Sequence, residues 1–129
     1  MIMKTFITEL RVRYAETDAA EIVYYSNFFI YFEVGKMEMF RELDLPYDRC
    51  LPMVEAHCDY KTAARFDDVL EIHTTVLEVF EKGFKVESKI FRNDNDHLTL
   101  IANGYTKHLT ADENRKVKQV PQIFIDAFK

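Results

Sequence analysis

The sequence predicts an α+β domain in which one antiparallel sheet wraps a single long helix, and three observations carry that prediction. Several runs alternate apolar and polar residues with a period of two, the mark of strands with one covered face. A single stretch, residues 24–43, repeats apolar residues at helical spacing around most of its circumference. Short polar turns separate the later alternating runs, so neighbouring strands should be antiparallel.

Taken in order, residues 6–14 place Phe6, Thr8, Leu10, Val12 and Tyr14 on one side and Ile7, Glu9, Arg11 and Arg13 on the other. A polar segment, residues 15–21, follows and contains Glu16 and Asp18. Ser26 or Asn27 is then placed to cap a helix by accepting a bond from a free first-turn amide. In that helix Phe28, Phe32, Gly35, Met39 and Leu43 form one stripe, and Ile30, Val34 and Met37 a second. A helix apolar on nearly all sides is expected to be buried. Its length should be roughly 25 Å at about 1.5 Å per residue.

The remainder reads as strands: residues 53–62 after Pro52, residues 69–80, residues 84–90 and residues 98–109. Glu81-Lys82-Gly83 supplies a turn with a glycine free to take positive φ, and Asn93-Asp94-Asn95-Asp96 a second turn. A short strand near Val117 and a helical turn after Pro121 complete the chain. One sheet around one apolar helix is the plan of the hotdog fold. Its open edge invites pairing with another copy, so a homodimer or homotetramer is expected.

Composition narrows the function classes. The 129 residues fit one domain, 1–129, and 48 % hydrophobic with 14 % aromatic residues supply a core. Seventeen basic against 22 acidic residues leave a net charge of −5. That balance lacks the positive face that would displace counterions from duplex phosphates, which argues against nucleic acid as a partner. Cys50 and Cys58 form no CxxC pair and read as reduced thiols. The first residues carry charges too often for a signal peptide, and no run approaches the roughly 20 apolar residues of a membrane span. A cytoplasmic protein is expected, with no cofactor.

The segment from Arg13 to Phe28 carries the chemistry. Asp18 lies in a polar loop about eight residues ahead of the helix cap. Free amides and aligned backbone dipoles make a helix N-terminus a site for negative charge. Negative charge on a carbonyl oxygen is what acyl transfer builds in its transition state. By spacing alone an acidic residue before a helix is more often a cap or a solvated loop residue.

This segment resembles the signature of the 4-hydroxybenzoyl-CoA thioesterase family, including short acyl-CoA thioesterases associated with the Tol-Pal system. Glu16-Thr17-Asp18 matches the family's acidic triplet, and Ile22-Val23-Tyr24-Tyr25 its aliphatic-aromatic run. The resemblance continues through Tyr31-Phe32-Glu33, Lys36, Glu38 and Arg41, then Asp59-Tyr60 and Ala64-Arg65-Phe66-Asp67-Asp68-Val69 with Glu71. It implies hydrolysis of a short-chain or aromatic acyl-CoA, with Asp18 as nucleophile or general base. It also implies that the Tyr25 amide polarises the carbonyl, with Tyr24 and Lys82 at the substrate. Two positions depart from the pattern. Glu21 stands where the family usually has Gly, and a positive φ there would strain the loop. Ala63 replaces the usual Pro. The alternatives are a non-catalytic acyl-ligand or partner-binding module and, more remotely, a dehydratase.

Several other residues invite chemistry. His57-Cys58-Asp59 alternate across a strand and cannot easily converge on one ion, so no metal is expected. His73, His97 and His108 are scattered. Glu33 and Glu38 are expected to pair with Lys36 or Arg41 at helical spacing or to line the dimer interface. Lys61, Arg65, Lys82, Lys85, Lys89 and Arg92 are the cations available to CoA phosphates, though each alone reads as a solvated charge.

Overall fold

A computed structural model describes residues 3–46 and 51–129; Cys50 lies outside the described residues. The order is β1 (Thr5–Arg11), a single 3-10 turn (Tyr14–Glu16), α1 (Asn27–Glu42), β2 (Met53–Tyr60), β3 (Val69–Phe80), β4 (Gly83–Asp94), β5 (His97–Leu109) and α2 (Gln122–Phe128). The five strands form one antiparallel sheet in the order β1-β3-β4-β5-β2. The long helix α1 packs on its inner face against β1, β3 and β4, which is the hotdog arrangement expected from the alternation and the apolar helix.

The core has two ends. Phe28, Tyr31 and Phe32 of α1 pack with Leu70, Ile72 and Ile90 at the end nearer the polar loop. Met39 and Phe40 pack with Val76, Phe84, Phe124 and Phe128 at the other. Between them Gly35 lets the helix backbone approach β3: a Cβ there would stand 2.5 Å from Thr74 Oγ1 and 2.7 Å from Ile72 Cγ2. Close approach, rather than conformational freedom, explains this glycine.

Several local expectations are corrected. The first strand ends at Arg11, and the chain continues into the 3-10 turn. Ser26 is already helical (φ −70°, ψ −20°), and its side chain makes no capping bond. Asn27 likewise does not cap; its Nδ2 donates to the Glu16 carbonyl at 2.8 Å. No described glycine has positive φ. Gly83 begins β4, where a Cβ would meet His108 O at 2.1 Å, and the two-residue turn is Glu81-Lys82. The β4–β5 turn narrows to Asn95-Asp96, both at positive φ (52° and 69°) as a type I′ hairpin requires. Val117 forms only an isolated bridge to Ala111. The helix α1 is not covered on every side, since Ile30 is 53 % exposed. Glu38 does pair with Arg41, whereas Glu33 is exposed.

Candidate active site

The polar loop folds as a tight hairpin. The Glu21 amide donates to the Asp18 carbonyl at 2.9 Å, the Asp18 amide to the Ile22 carbonyl at 2.9 Å, and Thr17 bridges Val23. This is a type I turn followed by a left-handed residue, the form in which that residue is usually Gly. Glu21 occupies it at φ 66°. The backbone thus needs the positive φ, and Glu tolerates it at a cost of roughly 1–2 kcal/mol.

The loop is stitched to its neighbours on both sides. Val23 N donates to Ala64 O at 2.8 Å, and Ile22 bridges Arg65, which lays the loop along residues 63–65. Arg65 N in turn donates to Asp68 Oδ2 at 2.9 Å, and Arg92 reaches Ala63 O at 3.3 Å. Rigid attachment of this kind is what a precise site on a loop requires.

A cavity of about 390 Å³ lies between the loop, the start of α1 and the end of β2. Asp18, Ile22, Tyr24 and Tyr25 supply one wall; Phe28, Tyr60 and Lys61 another; and Ala63 and Ala64 a third. Its size is ordinary for a small-ligand site, roughly 300–1,000 Å³. Asp18 is half-buried, and its Oδ1 accepts the Ala20 amide at 2.8 Å. One carboxylate oxygen is thereby fixed in direction while the other has no hydrogen-bond donor among the described residues.

At the helix start, Asn27 N donates to Tyr24 O at 2.9 Å, and Phe28 N to Tyr25 O at 3.3 Å. The Tyr25 amide itself finds no acceptor among the described residues. The Tyr60 hydroxyl donates to Tyr25 O at 3.0 Å. Burial pushes the Tyr60 phenol up to about 12, so it stays protonated as that bond requires. Tyr24 is pushed above its ordinary value mainly by its hydrogen bond with Tyr25, with the Asp18 charge a smaller contributor. An unused donor and a carboxylate on one apolar-walled cavity can together polarise a carbonyl and deliver, or activate, a nucleophile.

Of the residues singled out from sequence, Asp18, Tyr24 and Tyr25 come together here. Lys82 does not: it is exposed on the β3–β4 turn, at the opposite end of β3 from the loop. The cation on the cavity is Lys61 instead. Arg65 lines a second depression of about 340 Å³ with Tyr14, Thr17, Glu21 and Phe66, so the Glu21 side chain lies outside the Asp18 cavity. Arg92 is engaged with Asp94 at 2.9 Å, and Lys85 lies over the Tyr105 ring. His57 and Asp59 share the outer face at 3.1 Å, while Cys58 packs against the core. Burial pushes the Cys58 thiol up and it does not line the cavity, so it is no rival nucleophile. Phe28 and Tyr60 are wall residues with only weak signals in the sequence, a ring in the first turn of the helix and an aromatic ending a strand.

Comparison with known proteins gives the family. The acyl-CoA thioesterase YbgC of Haemophilus influenzae is 28 % identical over 127 residues, spanning 93 % of this chain and 90 % of its own. The crystal structure of an Aquifex aeolicus protein superposes with a TM-score of 0.87 at 32 % identity, covering 96 % of this chain and 99 % of that one. A gentisyl-coenzyme A thioesterase superposes with a TM-score of 0.81 at 27 % identity, covering 95 % and 98 %. The model of the thioesterase-like superfamily matches residues 12–128, and the chain belongs to that superfamily.

Proposed function

We propose that the protein hydrolyses an acyl-CoA thioester to the free acid and CoA. The observation that supports this reading is that Asp18 and Tyr25 line one cavity and the Tyr25 amide finds no acceptor among the described residues. The thioester carbonyl seats against that amide, which holds the developing oxyanion at the start of α1. Asp18 either attacks the carbonyl carbon, expelling CoA thiolate and leaving an anhydride that water opens, or takes a proton from an attacking water. Either route consumes one water and uses no cofactor. Solvent-oxygen labelling under single turnover separates them, since only the anhydride route can deposit solvent oxygen in Asp18.

The aromatic and aliphatic walls favour a short-chain or single-ring aromatic acyl group, with Tyr24 against it. A related protein at 27 % identity that acts on gentisyl-CoA supports the aromatic option. The Glu16-Thr17-Asp18 signature supports a place in the Tol-Pal-associated branch, and the chain is read as one cytoplasmic domain. Among the described residues, no helix is long and apolar enough to cross a membrane.

The edge strand β2 is exposed along most of its length, with Met53, Val54 and Tyr60 each about half exposed. An unpaired edge of this kind favours a homodimer, or a homotetramer built from it. Lys82 then serves the substrate only across a subunit boundary, binding CoA phosphate seated on another copy. Lys82→Ala should in that case raise KM with kcat unchanged.

A non-catalytic module would be favoured if Glu21, at the family's usual Gly position, spoiled the surroundings of Asp18. The loop accepts that residue, and its side chain lines the second depression rather than the Asp18 cavity, which supports the catalytic reading over that one. The decisive assay measures thiol release over acetyl-, butyryl-, benzoyl- and palmitoyl-CoA, with Asp18→Asn alongside. At least one short or aromatic substrate should turn over, and Asp18→Asn should lose about 100-fold or more while folded. Equal rates for the two proteins would remove Asp18 from the chemistry.

A further inference from the structure

Glu16 is the buried carboxylate that the reaction does not use. It is 9 % exposed and does not line the cavity, yet it is among the most heavily bonded residues near it. Its Oε1 accepts the Arg13 amide at 2.8 Å and the Tyr31 hydroxyl at 3.0 Å, and its Oε2 accepts the Arg13 guanidinium at 3.1 Å. Its backbone carbonyl accepts the Tyr24 amide at 2.9 Å and Asn27 Nδ2 at 2.8 Å.

These bonds tie three pieces of chain to one residue. Arg13 follows β1, Tyr31 sits in the second turn of α1 at 1 % exposure, and Tyr24 and Asn27 flank the Tyr25 amide. Asp18 is two residues along from Glu16. The carboxylate therefore fixes the peptide unit whose carbonyl fixes the helix start, and both proposed reacting groups hang from that unit. Because the Tyr24 amide is taken by Glu16, the next amide, that of Tyr25, is the first one left over.

We propose that Glu16 is a positioning residue for the hydrolysis: its carboxylate clasps Arg13 and Tyr31 so that its carbonyl holds the Tyr24–Asn27 turn, setting Asp18 against the Tyr25 amide. The inference rests on the thioesterase reading above. Misplacing a reacting group by about 1 Å costs on the order of 100-fold in rate, whereas substrate affinity draws mainly on side-chain walls, of which Glu16 bonds only the Tyr24 backbone. The Arg13 guanidinium is solvent-exposed and adds little; the Arg13 amide and Tyr31 hydroxyl are the bonds that count.

Four variants test this with thiol-release kinetics and circular dichroism melts. Glu16→Ala should lower kcat tenfold or more with KM within about twofold. Glu16→Gln should recover most of that loss, because one amide oxygen can stand where Oε1 stands. Tyr31→Phe, which deletes a single donor and keeps the ring, should lower kcat about threefold or more. Glu16→Ala added to Asp18→Asn should slow the residual rate by less than it slows the wild type, since that rate no longer needs Asp18 set against the Tyr25 amide. A raised KM at unchanged kcat, or a full additional loss in the Asp18→Asn background, overturns the proposal. If Glu16→Ala does not fold, Tyr31→Phe decides, and an unchanged kcat there overturns it. Wild-type rates in Asp18→Asn would instead remove Asp18 from the chemistry, and a wild type that releases thiol from none of the substrates would defeat the hydrolysis reading, whatever Glu16 does.

Discussion

At the scale of single residues, the most informative position is Glu21. A left-handed backbone at φ 66° is strained for a side chain and free for glycine. Glu21→Gly should therefore raise stability by about 1 kcal/mol, read as a shift in urea midpoint at unchanged slope. Its side chain faces the second depression, away from Asp18, so kcat should stay within about twofold. A large change in kcat would show that the Glu21 charge reaches the reacting groups after all. The same residue marks what a sequence can reveal: a non-glycine at a glycine position is visible at once. Where its side chain points is not, because that depends on residues 65–66 folding alongside.

At the scale of elements, α1 and the sheet meet through a glycine. A methyl group at Gly35 would collide with Thr74 and Ile72, both fully buried on β3. Overpacking of this kind typically costs about 1–3 kcal/mol, against roughly 1 kcal/mol gained when alanine replaces glycine in a helix. Gly35→Ala should therefore melt lower than wild type, and Gly35→Val lower still. An unchanged melting temperature for Gly35→Val would mean that the helix slides on the sheet without penalty. The elements themselves were legible, since alternation and helical stripes are local patterns. Their caps and turns were less so. Ser26 and Asn27 look like capping residues, yet Asn27 is drawn away to the Glu16 carbonyl 11 residues upstream, a partner that local pattern cannot supply.

At the scale of the whole molecule, folding stability carries a pH signature from a buried cluster remote from the proposed chemistry. Lys36, 6 % exposed, donates to Thr106 Oγ1 at 3.0 Å and stands 3.1 Å from His108 Nε2. A charged lysine there makes Nε2 the acceptor, so the imidazole proton sits on Nδ1, facing the Leu51 carbonyl at 3.3 Å. Burial, then the Lys36 charge, lowers His108 to about 4. Burial lowers Lys36 to about 8, with Glu33 opposing. For both, the unfolded chain holds the proton more tightly than the folded one, so stability rises with pH through each window. The His108 contribution is fully present above about 6.5 and is lost as pH falls toward 4. It is worth up to about 3 kcal/mol.

Urea midpoints measured from pH 4 to 7 should show this limb, and His108→Gln should flatten it. An equally steep limb in that variant would assign acid sensitivity elsewhere. Lys36→Met should fold at pH 7 with equal or greater stability, because it removes a buried charge that no carboxylate reaches at ion-pair distance among the described residues, Glu33 acting on it only from further off. It should also lose the part of the alkaline rise, between about 8 and 10.5, that Lys36 carries. A strongly destabilised Lys36→Met would show that the ammonium holds α1 to β5.

The sequence by itself determined the strand and helix pattern, the sheet wrapped around α1, and the loop bearing Asp18, Tyr24 and Tyr25. All of these depend on periodicity or on residues within a few positions of one another. Only the tertiary structure decided that Tyr60 and Lys61 complete the cavity, that Lys82 stands at the far end of the sheet, and that Lys36 meets His108. Those contacts join residues dozens of positions apart, and a shift of one residue in strand register would turn each side chain to the other face.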